Sequence, residues 1–200
     1  YSYLQSAAAN GYNIVWNSNS INTSYHTGRI PFDYTAFTPI ARVSIEIPAL
    51  AVNSLTEWTT LADMVAAADE SGEKLRVGIS GKGSFTHLTS AALFDAMGIG
   101  DQIIYISYGD GRAPVELLAG RIDAAIQWPG QFASYAETGE LTVLAVTGDE
   151  RASVLPDVQT AQEQGVDVNI SMWRGLAAPA GTPDDVIAVL EDAARIAVES

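Results

Sequence analysis

The chain has 200 residues, 48 % of them hydrophobic and 17 % charged, which is typical of a globular protein and excludes an intrinsically disordered one. Its formal net charge of -14 argues against binding to nucleic acid or to an anionic membrane surface, because both partners require clustered Lys and Arg. The chain has no cysteine, which excludes disulfides and thiolate metal sites, and no apolar run reaches the roughly 18 residues that favour direct membrane insertion.

A polar loop follows the first predicted strand. The pattern predicts a strand over residues 12–16 and a loop over residues 17–20 that is rich in hydrogen-bonding side chains. A strand that ends in such a loop is the usual place for ligand contacts in an open α/β sheet. Ser18 and Asn19 are therefore candidate ligand-binding residues, and a solvated loop without a ligand is the alternative that composition leaves open.

The central segment carries the strongest functional signal. A β-branched run predicts a buried strand over residues 75–79, which breaks into the glycine turn 80–83. Ser84 is the predicted N-cap of the amphipathic helix behind this turn. The unpaired N–H groups of a first helical turn and the positive end of the helix dipole suit an anion. We therefore predict half of a binding site for a small carboxylate, although Gly and Ser also occur where a chain merely turns a corner.

Two further strand ends extend this prediction. Strands and helices alternate over residues 55–147, which predicts parallel β-α-β units. Predicted strands over residues 103–107 and 122–127 end at a glycine turn and at a loop. His87 is another candidate, with a structural hydrogen bond to a loop carbonyl as the alternative. The remaining candidates at these strand ends are Tyr108, Gln127 and Trp128.

No catalytic residue, metal site or cofactor is predicted. Ser80, Ser84 and His87 are close in sequence, but no elbow motif surrounds them, and a helix does not by itself create a triad. His26 has no partner His or Cys at a metal-binding spacing. The central loop has neither the Gly-Lys-Ser/Thr ending of a P-loop nor the spaced glycines of a dinucleotide site, so a nucleotide is not expected.

Two extended segments are predicted to cross between two lobes. The run over residues 40–52, interrupted by Pro48, leaves the first lobe, and residues 168–176 return to it before a helix that opens at Thr182. This pattern predicts a hinged α/β architecture. The predicted divisions are residues 1–50 for a partial first lobe, 51–170 for the second lobe, and 171–200 for the return crossover and a first-lobe helix.

Seven groups of residues form a series of short motifs along most of the chain. In order they are Ala9-Asn-Gly-Tyr12, Pro31-Phe-Asp33 with Phe37-Thr-Pro-Ile40, Ser80-Gly-Lys-Gly-Ser-Phe-Thr-His-Leu88, Leu118-Ala-Gly-Arg-Ile-Asp123, Leu144-Ala-Val-Thr147, Leu155-Pro-Asp-Val158, and Gly175-Leu-Ala-Ala-Pro-Ala-Gly-Thr-Pro183. Each is weak alone, but together and in this order they resemble the Bug-type periplasmic receptors of tripartite tricarboxylate transporters.

The resemblance implies a Venus-flytrap receptor of the periplasmic-binding-protein type, with parallel-rich sheets, two crossover strands and lobes that close on a small carboxylate. It also implies a periplasmic location, membrane transporter subunits as partners, and no enzymatic activity; we expect a monomer. The chain has no signal peptide or initiator Met, and the family's glycine-rich first-lobe loop and C-terminal tail are absent, so we expect a fragment. The family's second-lobe ligand loop corresponds here to Gly81, Lys82, Gly83, Ser84, Phe85 and Thr86.

Three positions depart from the family pattern and bear on the ligand. Lys82 replaces a common Asn, Phe85 replaces a frequent Ser, and Arg174 adds a charge on the return strand. Together they favour a mono- or dicarboxylate with an apolar or aromatic body over citrate. Two alternative functions remain: an α/β enzyme acting on a small carboxylate or phosphate, and the effector lobe of a transcription regulator, which the lack of a basic DNA-binding segment disfavours.

Overall fold

The computed structural model describes residues 1–109 and 111–199 and divides the chain into two compact units. The first unit combines Tyr1–Glu46 with Met172–Ser200, and the second is Ile47–Ser171. The sequence predicts lobe boundaries after residues 50 and 170, whereas these units divide after residues 46 and 171. Asp110 of the predicted glycine turn and Ser200, the last residue of the predicted return segment, lie outside the described residues.

Strands and helices follow one another along both units. In chain order they are α1 (Ser2–Gln5), β1 (Val15–Ser18), α2 (Ser20–His26), β2 (Phe37–Glu46), β3 (Ala49–Asn53), α3 (Leu61–Ser71), β4 (Leu75–Ile79), α4 (Phe85–Ala96), β5 (Ile103–Ser107), α5 (Ala113–Leu118), β6 (Ala124–Gln127), α6 (Ala133–Glu137), β7 (Leu141–Val146), β8 (Met172–Pro179) and α7 (Asp184–Glu199). Among the described residues, no helix is both long enough and apolar enough to cross a membrane.

The first unit is built on a three-stranded antiparallel sheet in the order β1-β8-β2. Its core contains Leu4, Ile21, Phe37 and Ala177. The β2–β8 ladder is irregular beside Gly175, where a Cβ atom would lie 2.3 Å from the Ala41 carbonyl oxygen. Only a residue without a side chain fits this close approach of two strands.

The predicted polar loop over residues 17–20 was wrong in its boundaries. Strand β1 includes Asn17 and Ser18, both 6 % exposed, and helix α2 begins at Ser20. The Asn17 side-chain oxygen accepts a hydrogen bond from the Ser18 N–H at 2.9 Å, and the Ser18 hydroxyl accepts one from the Ser20 N–H at 3.2 Å. The polar side chains that suggested a loop instead bond the backbone where the strand turns into a helix.

The second unit contains a five-stranded sheet in the order β5-β4-β6-β3-β7. Strand β4 pairs in parallel with β5 and β6, as the alternation of strands and helices predicts, whereas β3 runs antiparallel to β6 and β7. In β3, Leu50 and Val52 belong to one apolar cluster, and Ala49 and Ala51 belong to another. Because successive side chains of a strand point to opposite faces, both faces of this sheet are buried.

The end of the second unit differs from the predicted return strand. Strand β8 begins only at Met172, whereas the sequence predicts an extended segment from residue 168. The Ile170 N–H instead donates to the Thr147 carbonyl at 2.7 Å, inside the second unit. The local apolar pattern could not reveal this contact, because its two partners are far apart in the chain.

Candidate functional site

Three parallel strands end at the same edge of the second-unit sheet. Ile79 of β4 is in register with Ser107 of β5, and Gly78 is in register with Ala125 of β6. Ligands of open α/β sheets bind outside the carboxyl ends of parallel strands. The segment over residues 80–87 leaves this edge and leads into α4. It contains the loop for which the sequence predicts anion binding and is called the binding loop after that prediction.

Hydroxyl groups hold the binding loop in shape. Ser84 is the N-cap of α4, as predicted, and its Oγ accepts the His87 N–H at 3.3 Å. The Thr86 Oγ1 lies 3.0 Å from the Ser84 Oγ and accepts the Ser80 N–H at 3.0 Å. Thr86 is only 2 % exposed, so these bonds lie inside the loop rather than on its surface.

His87, in the first turn of α4, forms a hydrogen bond back to the loop. Its Nδ1 accepts a hydrogen bond from the Gly83 N–H at 3.1 Å, and its ring meets Tyr105 edge-on with centroids 4.7 Å apart. The alternative that the sequence left open, a bond to a loop carbonyl, is wrong in its partner: the ring accepts from an amide. Burial, followed by the charge of Lys82, lowers the pKa of His87 below its ordinary value, so the neutral imidazole is favoured.

The amides of the loop differ in whether they already have an acceptor. The Ser84 N–H donates to the Gly81 carbonyl at 3.0 Å, so this amide is not available to a ligand. Within the described part of the chain, four other N–H groups of the loop have no acceptor. They belong to Gly81, Lys82, Phe85 and Thr86.

Two aromatic rings stand beside these amides. Phe85, the first residue of α4, stacks on Trp128, which follows β6, with ring centroids 6.2 Å apart and planes inclined by 11°. Both residues are half-buried, so part of each ring remains accessible. The structure thus brings an apolar surface next to unpaired backbone donors.

Gln127 and Tyr108 form hydrogen bonds at the same edge of the sheet. Gln127 is fully buried, and its side-chain Nε2 and Oε1 lie 3.1 and 3.3 Å from the Ser80 Oγ. The Tyr108 N–H donates to the Ile79 carbonyl at 3.0 Å, which extends the pairing of β4 and β5 beyond the strands. Ser80 directly follows β4 and contacts the predicted residue Gln127, but it is not among the residues predicted from the sequence.

The two candidates of the first unit are engaged in that unit. The Ser18 hydroxyl accepts the N–H of the first residue of α2, and the Asn19 side-chain oxygen accepts the Trp173 N–H at 2.9 Å. Asn19 therefore joins the start of α2 to strand β8. The structure gathers the candidates of the second unit at one edge, while these two residues belong to the other unit.

The binding loop lacks the geometry of a nucleophile and its base. The His87 Nδ1 is occupied by the Gly83 amide, and the Ser84 Oγ receives the His87 backbone N–H rather than contacting the imidazole. Among residues 1–109 and 111–199, no group of three His, Cys, Asp or Glu side chains could hold a metal ion.

The whole chain, residues 1–200, matches the family model described as the tripartite tricarboxylate transporter family receptor, TctC. The chain belongs to this family. The motif resemblance to Bug-type receptors is thereby confirmed. The family model describes its members as receptors of tripartite tricarboxylate transporters.

Curated relatives of this TctC-family chain are longer than the chain itself. A UPF0065 protein from the TAR-I ttuE-ttuC' intergenic region of Agrobacterium vitis is 32 % identical over 187 residues, covering 88 % of this chain and 54 % of that protein. Protein BugT of Bordetella pertussis is 27 % identical over 200 residues, covering 97 % of this chain and 61 % of that protein. The TctC-family chain thus spans little more than half the length of these relatives.

Solved structures share the fold of the TctC-family chain. A TctC solute-binding protein from Polaromonas, solved without ligand, superposes with a TM-score of 0.87 at 30 % identity, covering 100 % of this chain and 68 % of the other. An R. palustris protein solved with adipate gives a TM-score of 0.78 at 27 % identity, covering 96 % of this chain and 66 % of the other. The predicted α/β fold of periplasmic binding proteins is confirmed.

Proposed function

We propose that this chain is the ligand-binding part of an extracytoplasmic receptor that captures a small organic carboxylate for a tripartite tricarboxylate-type transporter. The observation that carries the proposal is the set of four unpaired N–H groups where the binding loop enters α4. Membership of the receptor family supports it, as does the relative solved with adipate. The acid is a mono- or dicarboxylate.

Backbone donors suit a carboxylate for a physical reason. An ionised carboxylate only accepts hydrogen bonds, and it can accept as many as four. Each bond to a charged group contributes about 1.5–3 kcal/mol, so three such bonds with some apolar contact approach the roughly 8 kcal/mol of a micromolar complex. The Lys82 side chain, exposed beside the loop, adds a cation.

The wider setting belongs to the same proposal. The receptor works in the periplasm as a monomer, its two lobes close on the acid, and it delivers the acid to membrane transporter subunits. The proposal treats Ser18 and Asn19 as first-unit contributors and assigns the principal contacts to the binding loop. Membership of the receptor family supports the delivery of the acid to transporter subunits.

An enzyme acting on a carboxylate or phosphate is the alternative function, and it has less support. Hydrolysis or acyl transfer needs a nucleophile within reach of a base, and the Nδ1 of His87 already accepts the Gly83 amide. Calorimetry with adipate, followed by analysis of the recovered acid, distinguishes the two functions. Binding with the acid unchanged supports a receptor, whereas a chemically altered product supports an enzyme.

Two substitutions of Phe85 test whether its backbone N–H binds the carboxylate. Phe85→Pro removes both the ring and the N–H, whereas Phe85→Ala removes only the ring. Proline is favoured at the first position of a helix, and Ser84 before it has ψ 168°, an extended conformation that proline accepts. We expect Phe85→Pro to bind adipate about tenfold more weakly than Phe85→Ala in calorimetry, because one charge-assisted hydrogen bond is lost.

The full-length receptor is the protein for this experiment, with circular dichroism to confirm that both variants fold. Equal affinities of the two variants for adipate would remove the Phe85 amide from the site. If the wild-type receptor binds no carboxylate, the proposed function as a whole is refuted.

A further inference from the structure

The hydroxyl side chains of the binding loop are used to build the loop. The Ser80 hydroxyl contacts the Gln127 carboxamide, and the Thr86 and Ser84 hydroxyls contact one another. The last two also accept backbone N–H groups from Ser80 and His87. A ligand hydroxyl that replaces water here would therefore have to compete with a bond that the loop already makes.

What the loop presents instead is a combination of donors and rings. Phe85 contributes one of the four unpaired N–H groups and also one ring of the stacked pair with Trp128. An acid bound at this amide must place its carbon skeleton within a few ångströms of the ring that the same residue carries. The anionic end and the body of the ligand therefore meet different surfaces.

We propose that the Phe85–Trp128 pair selects carboxylates with an aromatic or unbranched aliphatic body over hydroxylated polycarboxylates such as citrate. This inference rests on the proposed function, because it assumes that the loop binds a carboxylate. Apolar carbon gains from leaving water against the two rings, whereas a hydroxyl placed there loses its hydration without a dedicated partner. Selection by such a surface amounts to roughly 10- to 100-fold per group, since an apolar wall rejects an added hydroxyl only moderately.

Two pairs of acids measure this selection on the full-length receptor by calorimetry. Phenylacetate and mandelate differ by one hydroxyl on an aromatic body, and succinate and malate differ by one hydroxyl on an aliphatic body. We expect the acid without the hydroxyl to bind at least tenfold more tightly in each pair, and phenylacetate to bind more tightly than citrate.

Substitution of the ring isolates its contribution. Phe85→Ser keeps the N–H and restores a small polar side chain, so we expect the affinity for phenylacetate to fall at least tenfold while that for citrate stays within about twofold. Phe85→Leu should retain most of the affinity for succinate, because an apolar wall remains. Trp128→Leu should weaken phenylacetate binding as Phe85→Ser does, and Tyr12→Ser, at a residue 91 % exposed in the first unit, is the control that should change nothing.

Each remaining outcome has a distinct meaning. If Phe85→Ser weakens all the acids equally, the ring only maintains the loop, and the inference is overturned while the proposed function stands. The same holds if the wild-type receptor prefers citrate or malate. If the wild-type receptor binds none of these acids and no adipate, the proposed function fails first. Circular dichroism of Phe85→Leu and Phe85→Ser separates lost selectivity from lost folding.

Discussion

The imidazole of His87 links the protonation state of a single residue to the shape of the binding loop. Its Nδ1 can accept the Gly83 N–H only while that nitrogen carries no proton. Burial opposes protonation, and the nearby Lys82 adds a smaller effect in the same direction, so the pKa of His87 is lowered in the folded protein. Acidification must therefore break the bond that holds the glycine turn against the helix.

The sign of the effect on stability follows from this shift. In the unfolded chain the imidazole titrates near its ordinary pKa of 6.5, and in the folded protein it titrates lower. As the pH falls below 6.5, the unfolded state takes up the proton first, so the free energy of unfolding decreases until the folded state is protonated too. We expect urea unfolding to show this loss in the wild type and less of it in His87→Asn, which keeps an acceptor near Nδ1 but does not titrate.

A parallel pH dependence in both proteins would contradict this assignment, because other groups would then account for the whole loss. Comparison of the difference between the two proteins, rather than of either alone, removes the contribution of the many carboxylates.

Local and long-range contacts explain which residues could be predicted. The Ser84 N-cap follows from the residue type and the helix behind it, and the structure agrees. The partners of Ser80 and His87 could not be predicted in this way. Gln127 reaches Ser80 from another strand, and His87 turns back to Gly83, so the set of amides left for a ligand depends on the folded loop.

At the scale of elements, the ends of helices and strands could be predicted where they depend on residues close together in the chain. Strand β4 has the predicted bounds. Helix α3 begins with a capping box, in which Thr60 and Asp63 bond each other's backbone, and both partners lie within four residues of chain. Strand β1 is displaced toward the C-terminus, where the Asn17 side chain accepts the Ser18 N–H and the Ser18 side chain accepts the N–H of Ser20 in the following helix. The antiparallel pairing of β8 between β1 and β2 could not be predicted, since these strands come from opposite ends of the chain.

The close contact between β2 and β8 predicts that a side chain at residue 175 destabilises the first unit. Gly175→Ala would place a Cβ atom 2.3 Å from the Ala41 carbonyl oxygen, and backbone on both strands would have to move. We expect a loss of about 1–3 kcal/mol in the free energy of unfolding, measured with urea. Gly130→Ala is the matched control, because no atom lies within 4 Å of its added Cβ, and its effect should stay within about 0.5 kcal/mol. Equal effects of the two substitutions would show that the strands adapt freely.

At the scale of the molecule, each unit binds together the two chain segments that pass between the units. In the first unit, the Arg174 guanidinium forms two hydrogen bonds with the Glu46 carboxylate, at 2.8 and 2.9 Å. In the second unit, Thr147 is fully buried and holds both segments. Its N–H donates to the Pro48 carbonyl at 2.9 Å, and its hydroxyl donates to the Ile170 carbonyl at 2.9 Å.

Removal of this hydroxyl should loosen the second unit. Thr147→Val keeps the shape of the side chain but leaves the Ile170 carbonyl without this donor, so we expect a loss of about 0.5–1.5 kcal/mol in urea unfolding. Thr142→Val on the same strand is the control, because the described residues give the Thr142 hydroxyl no hydrogen bond. A Thr147→Val protein as stable as the control would show that water readily replaces the lost donor.

Under the proposed function, the amides of the binding loop also bear on how fast an acid is captured. The chain carries a formal net charge of -14, which repels an approaching anion over long distances, whereas fixed N–H dipoles attract it only at contact. Dissolved ions weaken the distant repulsion far more than they weaken bonds formed at contact. Moderate ionic strength should consequently raise the association rate and leave the dissociation rate nearly unchanged, the reverse of the behaviour of a receptor that attracts its anion with clustered arginines.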